Sequence, residues 1–249
     1  MSLRFSIVTC TRNSLATLPD TLASVAAQQG VAVEQVFVDG DSTDGTLQRL
    51  QHLQAVVGDV QLLTGVRGGI ARAMNAGLEA ARGDVVAHLH ADDFYLHPQV
   101  LARVAERLQA DRSDWAFGRI VNCVDGRLLP EPFVAPRWSP QALLRGNFVP
   151  HPAAFVRREV FRRFGGFRTD YRLAMDYEFW LRIAPHTRVS VIDEPLAAFR
   201  VHPGSASTRQ AQAAFDEDMR ARLAHAPRWQ WPAHLARYAV RHARRFGPA

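Results

Sequence analysis

Two rhythms of apolar and polar positions alternate over the first 110 residues. Short apolar runs at 5–10, 35–39, 60–63 and 85–89 have the length of buried strands. Between them the apolar residues return every third or fourth place, the spacing of a helix with one face on a core. Leu18, Leu22, Val25 and Ala26 predict a helix over 15–29. Leu47, Leu50 and Leu53 predict a second, capped by Ser42, Thr43 and Asp44. A third is expected over 69–81, and a fourth from Pro98 to about 109. These successive β-α units predict an α/β fold with a mostly parallel sheet covered by helices. Past residue 110 the rhythm loosens. Pro130, Pro132, Pro136 and Pro140 mark a loop region, and a helix-rich second half is expected after it, without repeats or low-complexity tracts.

Composition narrows the class. The 249 residues, 47% hydrophobic and 22% charged, leave room for a full core. The formal charge is +6 and every basic residue is arginine. Arginine forks suit a phosphate-bearing partner, although coding bias gives the same usage. Cys10 and Cys123 stand far apart in no metal-type spacing, which points to a reducing compartment. The first apolar run is too short for a signal-peptide core, and no stretch approaches the eighteen or so apolar residues of a membrane span. A cytoplasmic protein is expected, or one peripheral to the inner face of a membrane.

The polar residues fall in register with this scheme. Thr9, Thr11 and Asn13 end the first strand, and Asp39 and Asp41 the second. Arg67, Gly68 and Gly69 follow the third, and Asp92 and Asp93 follow the fourth. In an open α/β sheet, ligands bind beyond the carboxyl ends of the strands. Two adjacent acids at a buried strand end need a cation or hydrogen-bond donors nearby. An N-cap pair for the helix near Pro98 is the alternative use for them. The loop after the first strand, "TCTRNSLATL", lacks the G-x-G-x-x-G of an NAD-linked enzyme and the glycine-rich basic loop of a nucleotidyltransferase.

Five stretches, "SIVTCTRNS", "VFVDGDSTDGT", "GGIARAMNAGLEAARGDVVAHLHADD", "FRRFGGFRTDYRLAMDYEFWLR" and "FRVHPGSAS", together resemble the family 2 glycosyltransferases. The resemblance covers roughly residues 5 to 207 in the family's order. It implies a GT-A fold, Rossmann-like, spanning 1–207. Residues 1–110 would be the nucleotide-sugar half, 111–207 the acceptor and catalytic half, and 208–249 a helical, basic extension. It implies an inverting transfer from a nucleotide diphosphate sugar, a UDP-sugar by preference, to a glycan or lipid-linked acceptor in surface polysaccharide biosynthesis, with no nucleic acid involved. It also implies a divalent cofactor, Mn²⁺ or Mg²⁺, held by Asp92, Asp93 and His202. His90 stands where the family often has an acid. Thr9, Thr11, Asp39, Arg72, Asn75 and Asp92 would bind the nucleotide sugar, with Arg67 and Arg72 placed where acids are common. Asp176 matches the general base, with a helix N-cap as its bland alternative. Glu178, Trp180 and His151 would lie on the acceptor side. Cys10 is expected to pack rather than react. A binding or scaffold protein that has lost catalysis is the second function open to such a chain.

The tail has a pattern of its own. No acid follows Met219, while Arg237, Arg241, Arg244 and Arg245 repeat at helical spacing and Trp229 and Trp231 precede them. A basic amphipathic helix suits an anionic membrane surface. A terminal helix packed on the domain, its arginines in solvent, has the same pattern.

Overall fold

The computed structural model describes residues 3–202 and 210–246. Strands β1 (Arg4–Thr11), β2 (Ala32–Asp39), β3 (Val60–Thr64) and β4 (Val85–His88) run parallel in the order β3-β2-β1-β4. Helices α1 (Leu18–Ala26), α2 (Thr46–Val56) and α3 (Ile70–Ala80) connect them, and α4 (Val100–Ala110) follows. The chain leaves β1 toward β2 and β3, then crosses back to β4 on the other side. That reversal opens a crevice at the carboxyl ends of β1 and β4.

Alternation in β1 builds both layers of the core. Phe5 and Ile7 face Leu101, Val104 and Leu108 of α4, whereas Val8 faces Ala71 and Met74 of α3. Each of these large side chains contributes about 1.5–3 kcal/mol by leaving water. Gly77 of α3 lies against Val8, where a Cβ would collide with the valine methyl. This close approach sets the start of α3 beside the end of β1.

The element boundaries differ from the sequence pattern in two informative places. Helix α1 begins only at Leu18, because Pro19 falls in its first turn, where its missing N–H is harmless. Gly45, in the left-handed region at φ 99°, takes the N-cap position of α2; Asp44 still accepts from the Thr46 amide at 3.0 Å in its first turn, while Ser42 is bonded to Asp39.

The second half is the larger correction. It carries the expected helices, but also strands that the pattern did not show: β6 (Trp115–Val124), β7 (Arg127–Pro130), β8 (Ala154–Arg157) and β9 (Val189–Arg200). With β5 (Phe94–Tyr95), these continue the same sheet as β4-β8-β6-β9-β5, and β7 pairs with the outer part of β6. β8 is antiparallel to β4 and β6, while β9 is parallel to β6. The β6–β9 register slips between Gly118 and Ile120, opposite Pro195. Gly118 is required there because a Cβ would strike Leu196. Around this sheet lie α5 (Pro140–Leu143), α6 (Arg158–Phe164), α7 (Met175–Ile183), α8 (Ala211–His225) and α9 (Trp231–Phe246).

α8 is built into the domain. Glu217 of α8 accepts hydrogen bonds from the backbone amides of Arg172 (3.0 Å), Leu173 (2.8 Å) and Ala174 (3.0 Å), just ahead of α7. Arg222 donates to the Tyr177 hydroxyl at 3.1 Å, and that hydroxyl donates to the Leu143 carbonyl at 2.6 Å. The expected boundary at 207/208, and Pro203 to Ser207 of "FRVHPGSAS", lie outside the described residues. No helix among the described residues is long and apolar enough to cross a membrane.

Candidate active site

The carboxyl ends of β1 and β2 are knitted together. Asp39 is fully buried; it accepts from the Thr11 hydroxyl (2.8 Å), the Ser42 amide (2.9 Å) and the Ser42 hydroxyl (2.6 Å). The Ser42 hydroxyl oxygen in turn accepts from the Asn13 amide at 2.9 Å. Thr9 and Thr11 are buried beside it. These three expected nucleoside contacts thus lie beneath the surface and shape the crevice wall. Nearby, Arg67 pairs with Asp41 at 2.5 Å on the exposed rim.

Arg72 stands exposed on the first turn of α3, close to Gly68. Asn75, expected at the sugar, is engaged on both ends of its amide by Phe167: it accepts from the Phe167 amide and donates to the Phe167 carbonyl, both at 2.8 Å. Its amide therefore splices α3 to the loop before α7.

The two adjacent acids part company. Asp92 is half-exposed, and its Oδ2 lies 3.0 Å from His202 Nε2, also half-exposed. Asp93 is 2% exposed, and its Oδ1 accepts from the Arg200 amide at 3.0 Å. Burial, then the neighbouring Asp92 charge, pushes Asp93 well above the usual carboxylate range, against the pull of Arg200. The Arg200 guanidinium donates to the Asp92 carbonyl (3.0 Å) and to Asp20 (2.5 Å). Although burial still outweighs its pull on Asp93, Arg200 thus ties down the segment of the pair through its backbone and side chain. Sequence reasoning passed over it, although it lies two places before His202 in a quoted motif.

This geometry tests the expected metal set. Among the described residues no three His, Cys, Asp or Glu side chains converge as a ready cage. Asp92 and His202 converge on one accessible spot and offer an oxygen and a nitrogen donor. That suits Mn²⁺ or Mg²⁺ when a substrate diphosphate supplies further oxygens. Asp93 is placed differently from Asp92: its carboxyl is buried and accepts from the Arg200 amide, which satisfies a group that would be costly to bury unpaired.

Asp176 lies in the first turn of α7, where its Oδ1 accepts from the Tyr177 amide at 2.7 Å. Burial pushes its pKa up to about 7, and the nearby Asp218 adds to the rise, while the Tyr177 amide and the Asn147 side chain oppose it. His151 Nδ1 stands 3.8 Å from Asp176 Oδ2, and the His151 ring stacks on His90 at 5.1 Å. His88 lies 5.8 Å from His151. The three imidazoles are held neutral by burial: His88 falls to about 3, His151 goes well below its ordinary value, and His90 is lowered too. Both ring nitrogens of His151, and Nδ1 of His90, are buried with no protein hydrogen-bond partner. The imidazoles of His90 and His151 thus bridge the segment of the acidic motif and the carboxylate of α7.

Two acceptor-side expectations do not survive. Glu178 is buried and ion-paired with Arg182 (3.0 Å) and His225 (3.0 Å). Trp180 stacks on Trp115 at 5.2 Å in the core. For Glu178 this follows from helix geometry, since a position two beyond Asp176 turns to another face, whereas Trp180, one turn on, shares the face of Asp176 and fills the core beneath His151. His151 alone of that set lies beside the Asp176 carboxylate. Cys10 packs as expected, burial pushing its thiol up to about 12. Glu217 and Asn147, which support α7 and Asp176, carry no motif that could have found them.

Comparison with known proteins gives the family and the fold. The profile of Glycosyl transferase family 2 matches residues 6–165, ending before Asp176. An uncharacterized glycosyltransferase of Mycobacterium tuberculosis is 33% identical over 186 residues, covering 72% of this chain and 68% of its own length. A PGL/p-HBAD biosynthesis glycosyltransferase of Mycobacterium bovis is 32% identical over 180 residues, covering 72% and 68%. Among solved structures, S. aureus TarS 1-349 in complex with UDP-GlcNAc has a TM-score of 0.76 at 22% identity, covering 98% of this chain and 73% of that one. The mannosyltransferase PcManGT from Pyrobaculum calidifontis, in complex with GDP-Man and Mn²⁺, has a TM-score of 0.68 at 22% identity, covering 100% and 77%. The two structures share the fold of this chain.

Proposed function

The chain belongs to glycosyl transferase family 2, and on that footing we propose that it moves a sugar, with inversion, from a UDP-sugar to a hydroxyl of a glycan or lipid-linked acceptor in surface polysaccharide biosynthesis. The observation that carries this reading is Asp176, held near pKa 7 and linked through the His151–His90 stack to the segment bearing Asp92. A general base works best when its pKa lies near the operating pH. Asp176 accepts the acceptor hydroxyl's proton as that oxygen attacks the anomeric carbon, and the sugar–phosphate bond breaks on the opposite face. The carboxylate ends the step as a neutral acid, which its buried setting favours.

The unpartnered nitrogens of His151 offer a hydrogen bond to a hydroxyl beside the base. Arg72, exposed at the start of α3, adds positive charge at the crevice. Asp92 and His202 would hold a Mn²⁺ or Mg²⁺ ion, which would supply charge neutralisation for the departing diphosphate. The UDP-GlcNAc complex of TarS supports a UDP-sugar donor, and a relative named for PGL/p-HBAD biosynthesis supports a biosynthetic transferase.

The test is a panel of UDP- and GDP-sugars incubated with the protein and Mn²⁺, scored by release of the nucleoside diphosphate. Release from a UDP-sugar, lost in Asp92→Asn, is expected. A chain that consumes no nucleotide sugar across the panel is a scaffold, and the reading fails.

A further inference from the structure

We propose that α9 and the turn before it form a docking face for an anionic lipid bilayer. One side of α9 is already occupied: Tyr238 stacks on Phe215 of α8 at 5.1 Å, and His242 and Phe246 pack on the same ring. His234 is buried, and the Tyr238 hydroxyl donates to Asp216 at 2.5 Å. The core therefore needs no more of this helix.

The remaining surface has two stripes. While Arg241 between them turns toward Phe215 and the domain, Arg237 and Arg244, seven places apart, put two guanidinium groups on one exposed row. Beside it runs a row of Ala233, Ala236, Val240 and Ala243, all exposed, with Val240 53% accessible. Trp229, in the preceding turn, is 79% exposed. α9 contains no acid, and Arg237 and Arg244 have no carboxylate partner among the described residues.

Lipid headgroups complement this chemistry. The arginines reach phosphates, while the small apolar row and the tryptophan settle at the boundary of the acyl chains. A protein partner would ask for larger anchoring side chains than alanine.

The domain side of the helix is marked by Arg241, whose guanidinium stands 3.7 Å from where a Cβ of Gly146 would lie. The docking face itself does not depend on the transferase reading.

The test uses the whole chain with sedimenting vesicles of phosphatidylcholine alone or with 30% phosphatidylglycerol. Binding to the anionic vesicles only, weakened by salt, is expected. Arg237→Gln with Arg244→Gln, checked for unchanged melting, should weaken it roughly thirty-fold, the share of two arginines near such a surface. The emission of Trp229, isolated by difference from Trp229→Phe, should shift to the blue on binding. No sedimentation at low salt, equal binding to the neutral vesicles, or an unaffected double variant would each overturn the proposal. Tighter binding to a single-stranded oligonucleotide than to the vesicles would assign the face to nucleic acid and overturn it too.

Discussion

Asp176 and Asp93 are both buried acids, yet their surroundings fit them for different work. Asp93 is consumed by the Arg200 amide, whereas Asp176 keeps one oxygen within 3.8 Å of His151. Asp92→Asn should therefore lower Mn²⁺-dependent UDP affinity at least about ten-fold, the usual cost of losing a ligand-side contact. Asp93→Asn should change it little, because an amide oxygen still accepts the Arg200 bond. Calorimetry with UDP and Mn²⁺ separates the two variants, and equal losses would make Asp93 a ligand as well. Asp176 also sets a pH trend. Its folded pKa is raised, so it stabilises the fold below the unfolded value near 4, and this is lost as pH rises through about 7. Asp176→Asn should melt higher than the parent at pH 8, with the gap closing toward pH 4. A gap that widens on acidification would contradict the assignment. Sequence adjacency named Asp92, Asp93 and Asp176 but could not say which neighbour turns inward, since that depends on Arg200, more than a hundred positions away.

The element that fixes the base is α7, and its start is fixed from α8. Glu217 gathers three backbone amides ahead of α7, where unsatisfied donors and the helix dipole both favour an anion. Glu217→Ala should cost about 1.5–3 kcal/mol of stability, the scale of hydrogen bonds to a charged group. Turnover should fall with UDP affinity retained, because the crevice of β1–β4 does not touch α8. Denaturant unfolding and UDP titration check both halves. Unchanged stability would mean the carboxylate is dispensable. The first four βα units were legible because each strand is a continuous apolar run of ordinary length. β6 and β9 were not, since Gly118, Asp193, Glu194 and Pro195 break the apolar pattern where the register slips. Such irregularity is read from the partner strand, not from the chain itself.

Across the whole molecule, neutral buried histidines oppose the acids. His88 and His151 must be neutral in the fold and are charged in the unfolded chain below about 6.5. A depressed histidine pKa gives stability that is present above the unfolded value and lost as pH falls from about 6.5 toward 3. The melting temperature should drop over that window, with net proton uptake on unfolding. Because the raised Asp176 acts with the opposite sign over this window, the drop is read as the difference between Asp176→Asn and the same protein carrying His151→Gln as well. No difference between the two would contradict the assignment.

The central claim, that Asp176 removes the acceptor's proton, is tested most directly by turnover of Asp176→Asn beside its UDP affinity. The account predicts unchanged affinity and turnover lower by about two to four orders of magnitude, the worth of a positioned general base. An Asp176→Asn protein that still transfers sugar at the parental rate, with Glu178→Gln inactive instead, would contradict it.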